Sequence, residues 1–133
     1  MKILLVEDNK INQKVTKKFL TKWGVETTIA DNGQIALDCV QMNEYDLVLM
    51  DMQMPVMNGI EATKAIRALG GKHEKLPIIA LTASAVLDMK RTAIKAGLNG
   101  FITKPFTPDI LYAKISQCYK KEEVVEGKRA MQT

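Results

Sequence analysis

Five short apolar runs punctuate the chain, at Ile3–Val6, Val25–Ala30, Leu47–Met50, Ile78–Leu81 and Gly100–Thr103. Three of them are apolar without alternation, the pattern of parallel strands buried on both faces. The run at 25–30 contains Glu26, Thr27 and Thr28 and reads as an edge strand. Between the runs, apolar residues recur at helical spacing. Ile11, Val15, Phe19 and Trp23 form one stripe, and Ala36, Leu37 and Val40 a second. Ala62, Ile66 and Leu69 follow, then Val86, Met89, Ala93 and Ala96, then Leu111, Ile115, Cys118 and Tyr119. Gly24, Gly70–Gly71 and Gly97 stand where helices should end, and Asp31-Asn32-Gly33 reads as a turn.

Strict strand–helix alternation predicts an α/β fold with a parallel sheet and helices on both faces. Right-handed crossovers leave few topologies. The expectation is the doubly wound, flavodoxin-like (βα)5 order 2-1-3-4-5. It occupies residues 1–120, and a polar tail over 121–133 frays after the last helix.

At 133 residues the chain suits a single domain, and 47% hydrophobic with 26% charged residues is ordinary for a globular protein. No stretch resembles a signal peptide or a membrane span, so the expected location is cytoplasmic, including the cytoplasmic part of a membrane-bound protein. Cys39 and Cys118 are isolated, and His73 is the only histidine, too few ligands for zinc. The cysteines read as reduced core thiols. The net charge is +4, and Lys10, Lys14, Lys17, Lys18 and Lys22 share one segment. No nucleic-acid-binding signature accompanies them, so they read as a solvated helix face, or as a surface that steers an acidic partner.

Chemistry concentrates at the ends of the runs. Glu7-Asp8 follow the first, Asp51 the third, Thr82 the fourth and Lys104 the fifth. The carboxyl ends of parallel strands line the ligand crevice of an open sheet. Taken singly, Asp8, Asp31 or Asp51 reads equally well as a helix N-cap. Taken together, three carboxylates on one rim call for a counter-cation, and an oxygen-liganded Mg²⁺ fits. A carboxylate can accept a phosphoryl group as an aspartyl phosphate, and Lys104 and Thr82 could then receive the phosphate oxygens. Gly59 lets the next helix begin close to this loop, while Met54-Pro55 stiffens it.

The motifs Val6-Glu7-Asp8-Asn9, Met50-Asp51-Met52-Gln53-Met54-Pro55, Ile79-Ala80-Leu81-Thr82-Ala83 and Lys104-Pro105-Phe106 resemble those of the receiver domain of two-component response regulators. The resemblance covers residues 2–120. It implies that Asp51 is the phosphoacceptor, and that Mg²⁺ is held by Glu7, Asp8, Asp51 and the backbone carbonyl of Gln53. It further implies that Thr82 and Lys104 contact the phosphoryl group, and that Thr82 and Phe101 form the switch. A cis Lys104–Pro105 bond is expected on the same ground. Asn9, Ile11-Asn12-Gln13 and the run from Asp51 to Thr63 look like receivers of hybrid sensor histidine kinases. Asn58 departs from the family's usual Asp and should still cap the next helix.

The implied donor is a histidine kinase or a histidine phosphotransfer domain docking near the first helix. The implied state is a monomer, or a weak dimer that depends on phosphorylation. Such a receiver is a phosphoacceptor rather than a classical enzyme, with no direct contact to nucleic acid or membrane. A stand-alone response regulator is the alternative context. A haloacid-dehalogenase-type phosphatase wants a second Asp where Gln53 stands. An acidic first loop repels a flavin phosphate, and a P-loop nucleotidase lacks its Gly-x4-Gly-Lys pattern.

Overall fold

A computed structural model describes residues 1–54, 57–83 and 87–119. In chain order the elements are β1 (Lys2–Val6), α1 (Lys10–Lys22), β2 (Glu26–Ala30), α2 (Gly33–Met42), β3 (Leu47–Asp51), α3 (Gly59–Ala68), a short 3-10 helix (Gly71–Glu74), β4 (Ile78–Thr82), α4 (Leu87–Ala96) and β5 (Gly100–Thr103). A last helix, α5, runs over 108–119 within the described residues. The expected tail over 121–133 lies outside them, as do Pro55 and Val86.

All neighbouring strands pair in parallel, in the order β2-β1-β3-β4-β5. The fold is therefore the doubly wound one that the alternation predicts. Every residue of β3 and β4 is buried, whereas β2 alternates between exposed and half-buried positions until Ala30. β2 is indeed an edge, and its polar residues occupy the positions that no second neighbour covers.

Side chains alternate across the sheet, and this splits the core in two. Leu4, Val6, Val48, Met50, Ile78 and Ala80 meet Ala36 and Val40 of α2, Ala62 and Ile66 of α3, and Ala93 of α4. On the other face, Ile3, Leu5, Leu47, Leu49, Ile79, Leu81 and Ile102 meet Leu20 of α1 and Leu111 and Ile115 of α5. Cys39 and Cys118 are free thiols, only half-buried, each packed against one of these clusters.

One helix sits differently from its stripe. The buried residues of α1 are Gln13, Thr16 and Leu20, while Ile11 is 72% and Val15 45% exposed. A four-residue spacing advances about 40° per step on a helix of 3.6 residues per turn. The stripe therefore winds around α1. Its carboxyl-terminal half, Phe19 and Trp23, reaches the core, and its amino-terminal half faces outward. Gly24, Gly70, Gly71 and Gly97 all have positive φ and close helices or turns.

Candidate functional site

Register brings the strand ends level. Val6 pairs with Ala30 and Met50, Asp51 with Leu81, and Thr82 with Thr103. Glu7 thus lies one step past Val6, beside Asp51, and Lys104 one step past Thr103, beside Thr82. The main chain stays tied just beyond the ladders, with Glu7 N donating to Ala30 O at 3.1 Å and Lys104 N to Thr82 O at 2.7 Å. The Lys104–Pro105 bond is cis.

The cap reading of the aspartates does not hold, because asparagines further along each loop do that work. Asn9, Asn32 and Asn58 cap α1, α2 and α3, their side chains accepting from the N–H groups of Asn12, Ile35 and Glu61. Asn32 is thus a cap and Gly33 already helical, where the sequence reads a turn. Asn58 and Glu61 form a reciprocal capping box. Asp51 instead folds back locally, its Oδ1 accepting from Gln53 N at 3.1 Å. Asp8, Asp31 and Asp51 are left to other roles.

One oxygen each from Glu7, Asp8 and Asp51 lies within 4.8 Å of the others, a set that could hold a metal ion. Glu7 and Asp51 are buried, at 2% and 6% exposure, whereas Asp8 is open to solvent. Oxygen donors alone suit a hard divalent cation. Lys104 Nζ lies 3.2 and 3.3 Å from the Glu7 oxygens and 3.5 Å from Asp51 Oδ2. One ammonium therefore faces two buried carboxylates. Burial pushes the Glu7 carboxyl up to about 7. A hydrogen bond with Asp51 adds to this, the Asn12 hydrogen bond opposes it, the Asp51 charge raises it further and the Lys104 charge lowers it. In physical terms, burial does more than the neighbouring charges to favour the neutral Glu7 carboxyl.

Thr82 is the last residue of β4 and almost fully buried. Phe101 lies two pairs back along β5, in register with Ala80, half-buried against the core under α2, α3 and α4. The structure thus gathers Glu7, Asp8, Asp51, Thr82 and Lys104 at one rim and leaves Phe101 behind it. Gly59 is required by closeness, since a Cβ there would lie 2.5 Å from Asp51 O. A groove of ≈ 390 Å³ leads away from Glu7 and Lys104, between Val15 and Phe19 of α1 and Pro105-Phe106.

Three residues escaped the sequence reading as parts of a site. Asn12 reaches the Glu7 carboxyl, Gln13 reaches its carbonyl, and Arg67 ties together the opposite end of the sheet. Arg67 donates to the carbonyls of His73, Leu76 and Gly97 and to Asn99 Oδ1. A polar residue on the inner face of α1 was the available signal for Gln13, and the apolar stripe at 11 and 15 hid it. Among the described residues, no helix is long and apolar enough to cross a membrane.

Residues 3–116 match the family model described as response regulator receiver domain. The chain is 42% identical over 121 residues to hybrid signal transduction histidine kinase I of Dictyostelium discoideum, covering 86% of the chain and 7% of the kinase. It spans between 6% and 11% of the length of this and two further kinases of that organism. Among solved structures, it resembles the receiver domain of a Pseudomonas aeruginosa sensor histidine kinase, solved with a magnesium ion in its active-site cleft. There the TM-score is 0.83 and the identity 36%, over 90% of this chain and 97% of that one. It also resembles the receiver domain of a Saccharomyces cerevisiae response regulator, solved with its histidine phosphotransfer protein. That match has a TM-score of 0.84 and 36% identity, over 92% and 90% of the two chains.

Proposed function

We propose that this chain, which belongs to the response regulator receiver family, takes a phosphoryl group from a phosphohistidine donor onto Asp51. The observation that carries the reading is the meeting of Glu7, Asp8 and Asp51 with Lys104 at one rim, with no aspartate among them used as a cap. Glu7, Asp8, Asp51 and the carbonyl of Gln53 would hold Mg²⁺, which supplies positive charge to the transferring oxygens.

The remaining steps belong to the chain's own side chains. Asp51, drawn towards Lys104 and the Gln53 amide, presents a carboxylate oxygen to phosphorus. That oxygen forms the new P–O bond as the donor's P–N bond breaks, and the electron pair returns to the imidazole. Lys104 leaves its contact with Asp51 and follows the phosphoryl oxygens as a point charge. Thr82 offers its hydroxyl from the end of β4. About −1.5 to −2 units of charge then sit in the pocket. Movement of Thr82 opens the space into which Phe101 packs, and partners read α4 and β5. Phe101 has no hydroxyl, so the switch works through packing alone.

The donor is a histidine kinase or a histidine phosphotransfer domain. It docks on α1, where Val15 lines the groove, Ile11 is exposed on the same helix, and Lys14 and Lys18 can steer an acidic surface. Reversing the charge of Lys14 and Lys18 should slow transfer and flatten its salt dependence; an unchanged rate would discard this docking face. The parent protein is a hybrid sensor histidine kinase. A parent reading frame ending shortly after residue 133 would instead favour a stand-alone regulator.

Incubation with acetyl phosphate and Mg²⁺, followed by intact-mass measurement, tests the central claim. One phosphate adduct is expected, absent in Asp51→Asn and lost in EDTA. An adduct that survives Asp51→Asn would overturn the assignment.

A further inference from the structure

α1 lies on the sheet through Gln13, Thr16 and Leu20, of which only Leu20 is apolar. A buried amide is unfavourable by roughly 1–3 kcal/mol unless it is bonded, so its partners reveal its use. Gln13 is 5% exposed. Its Nε2 donates to the Glu7 carbonyl at 2.5 Å and to Asp31 Oδ1 at 2.7 Å. The amide carries two protons, one for each acceptor.

The Glu7 carbonyl belongs to the peptide plane that joins the two acidic residues. The β1–β3 ladder ends at Val6–Met50, so strand pairing with β3 does not orient that plane. On its amino side Glu7 is held by Ala30 O, and on its carboxyl side Gln13 holds it. Because a peptide unit is rigid and planar, fixing the Glu7 oxygen fixes the direction in which Asp8 leaves the strand. The anchor for Gln13 is itself secured, since Asp31 Oδ1 also accepts from Lys10 Nζ at 2.9 Å.

We infer that Gln13 is a positioning residue for the acidic pair, holding the Glu7–Asp8 peptide so that both carboxylates can meet one divalent cation together with Asp51. It touches neither the cation nor the phosphoryl group and acts only through the Glu7 carbonyl. The inference rests on the Mg²⁺ reading of the site. Loss of an outer contact that orients metal ligands typically lowers affinity 10- to 100-fold.

The test is calorimetric titration of the full chain with Mg²⁺ after stripping with EDTA, with urea midpoints recorded for every variant. Gln13→Leu and Gln13→Met fill the space without donating, and should lose 10- to 100-fold in Mg²⁺ affinity. Their phosphorylation by acetyl phosphate should fall at low Mg²⁺ and recover at saturating Mg²⁺. Asp31→Asn leaves the Glu7 carbonyl bond in place and should stay within threefold of wild type. In the wild-type chain, the Gln13 side-chain amide resonances should shift along the Mg²⁺ binding curve, a readout that needs no variant to fold. Folded Gln13 variants that bind Mg²⁺ within twofold of wild type would overturn the inference, whatever their urea midpoints, and so would Gln13 resonances that stay still. If the wild-type chain itself takes up no Mg²⁺, the reading of the site fails and Gln13 with it. Binding that is intact in wild type and variants alike removes only the role of Gln13.

Discussion

Gly59→Ala adds one methyl group at the first residue of α3, where there is no room for it. The new Cβ would lie 2.5 Å from the Asp51 carbonyl oxygen and 2.9 Å from Met52 Cα, and would also strike the Met52 methyl group. The methyl group can swing aside. The other two atoms are main chain, and ordinary contact requires them to retreat by roughly 0.5–1 Å. Overpacking of this kind costs about 1–3 kcal/mol. Alanine returns up to about 1 kcal/mol of helix propensity, and less in a first turn. The net loss should be about 1–2 kcal/mol, lowering the urea midpoint by roughly 0.5–1 M. The displaced carbonyl belongs to Asp51, the proposed phosphoacceptor, so phosphorylation by acetyl phosphate should slow by roughly 10- to 100-fold, the usual effect of ångström-scale misplacement. Gly70→Ala is the control. Gly70 has φ +72° and ψ −175°, and a Cβ there would meet nothing within 4 Å, so alanine suffers only backbone strain of about 1–3 kcal/mol. It should lose comparable stability and keep its rate. The reasoning is refuted if Gly59→Ala phosphorylates within twofold of wild type, or if both variants slow equally.

Arg67→Met removes five donated hydrogen bonds from four acceptors, and should destabilise the fold by about 3 kcal/mol in urea titration. Arg67→Lys should recover little of this, because an ammonium cannot span the same fork. Asn58→Ala breaks the capping box of α3 and should cost about 1 kcal/mol by the same assay. In EDTA, Glu7 with its carboxyl raised from 4.5 to about 7 favours the protonated folded state. Its contribution is therefore fully present below about pH 4.5 and lost as pH rises through 7, a decline that Glu7→Gln should lack. Urea midpoints at pH 5 and pH 8 check this, and parallel profiles for the two proteins would contradict it.

Periodicity made the architecture legible because burial obeys it. The all-buried β3 and β4 read as unbroken apolar runs, and the edge strand β2 betrayed itself through Glu26, Thr27 and Thr28. The rim was legible because Glu7, Asp51, Thr82 and Lys104 each stand at the end of such a run. The seating of α1 was not. A four-residue stripe drifts around a helix, and the residues that face the sheet, Gln13 and Thr16, are polar. The partners of Gln13, a main-chain carbonyl and Asp31, sit past the ends of two strands and leave no trace in local spacing. Arg67 was silent for a similar reason. Its acceptors are mainly backbone oxygens, which every residue carries.

The asparagines that cap the helices have a consequence for how such a domain changes over generations. Asn9 and Asn58 cap α1 and α3, and the proposed chemistry lies one residue before the first and seven before the second. The two tasks can therefore be lost independently. On the proposed reading, a lineage that replaces Asp51 by an uncharged residue would give up phosphate uptake in one step and keep its helix caps, its sheet and the outward-facing Ile11 and Val15. What it retains is a folded adaptor, free to be recruited to signals that no phosphate carries.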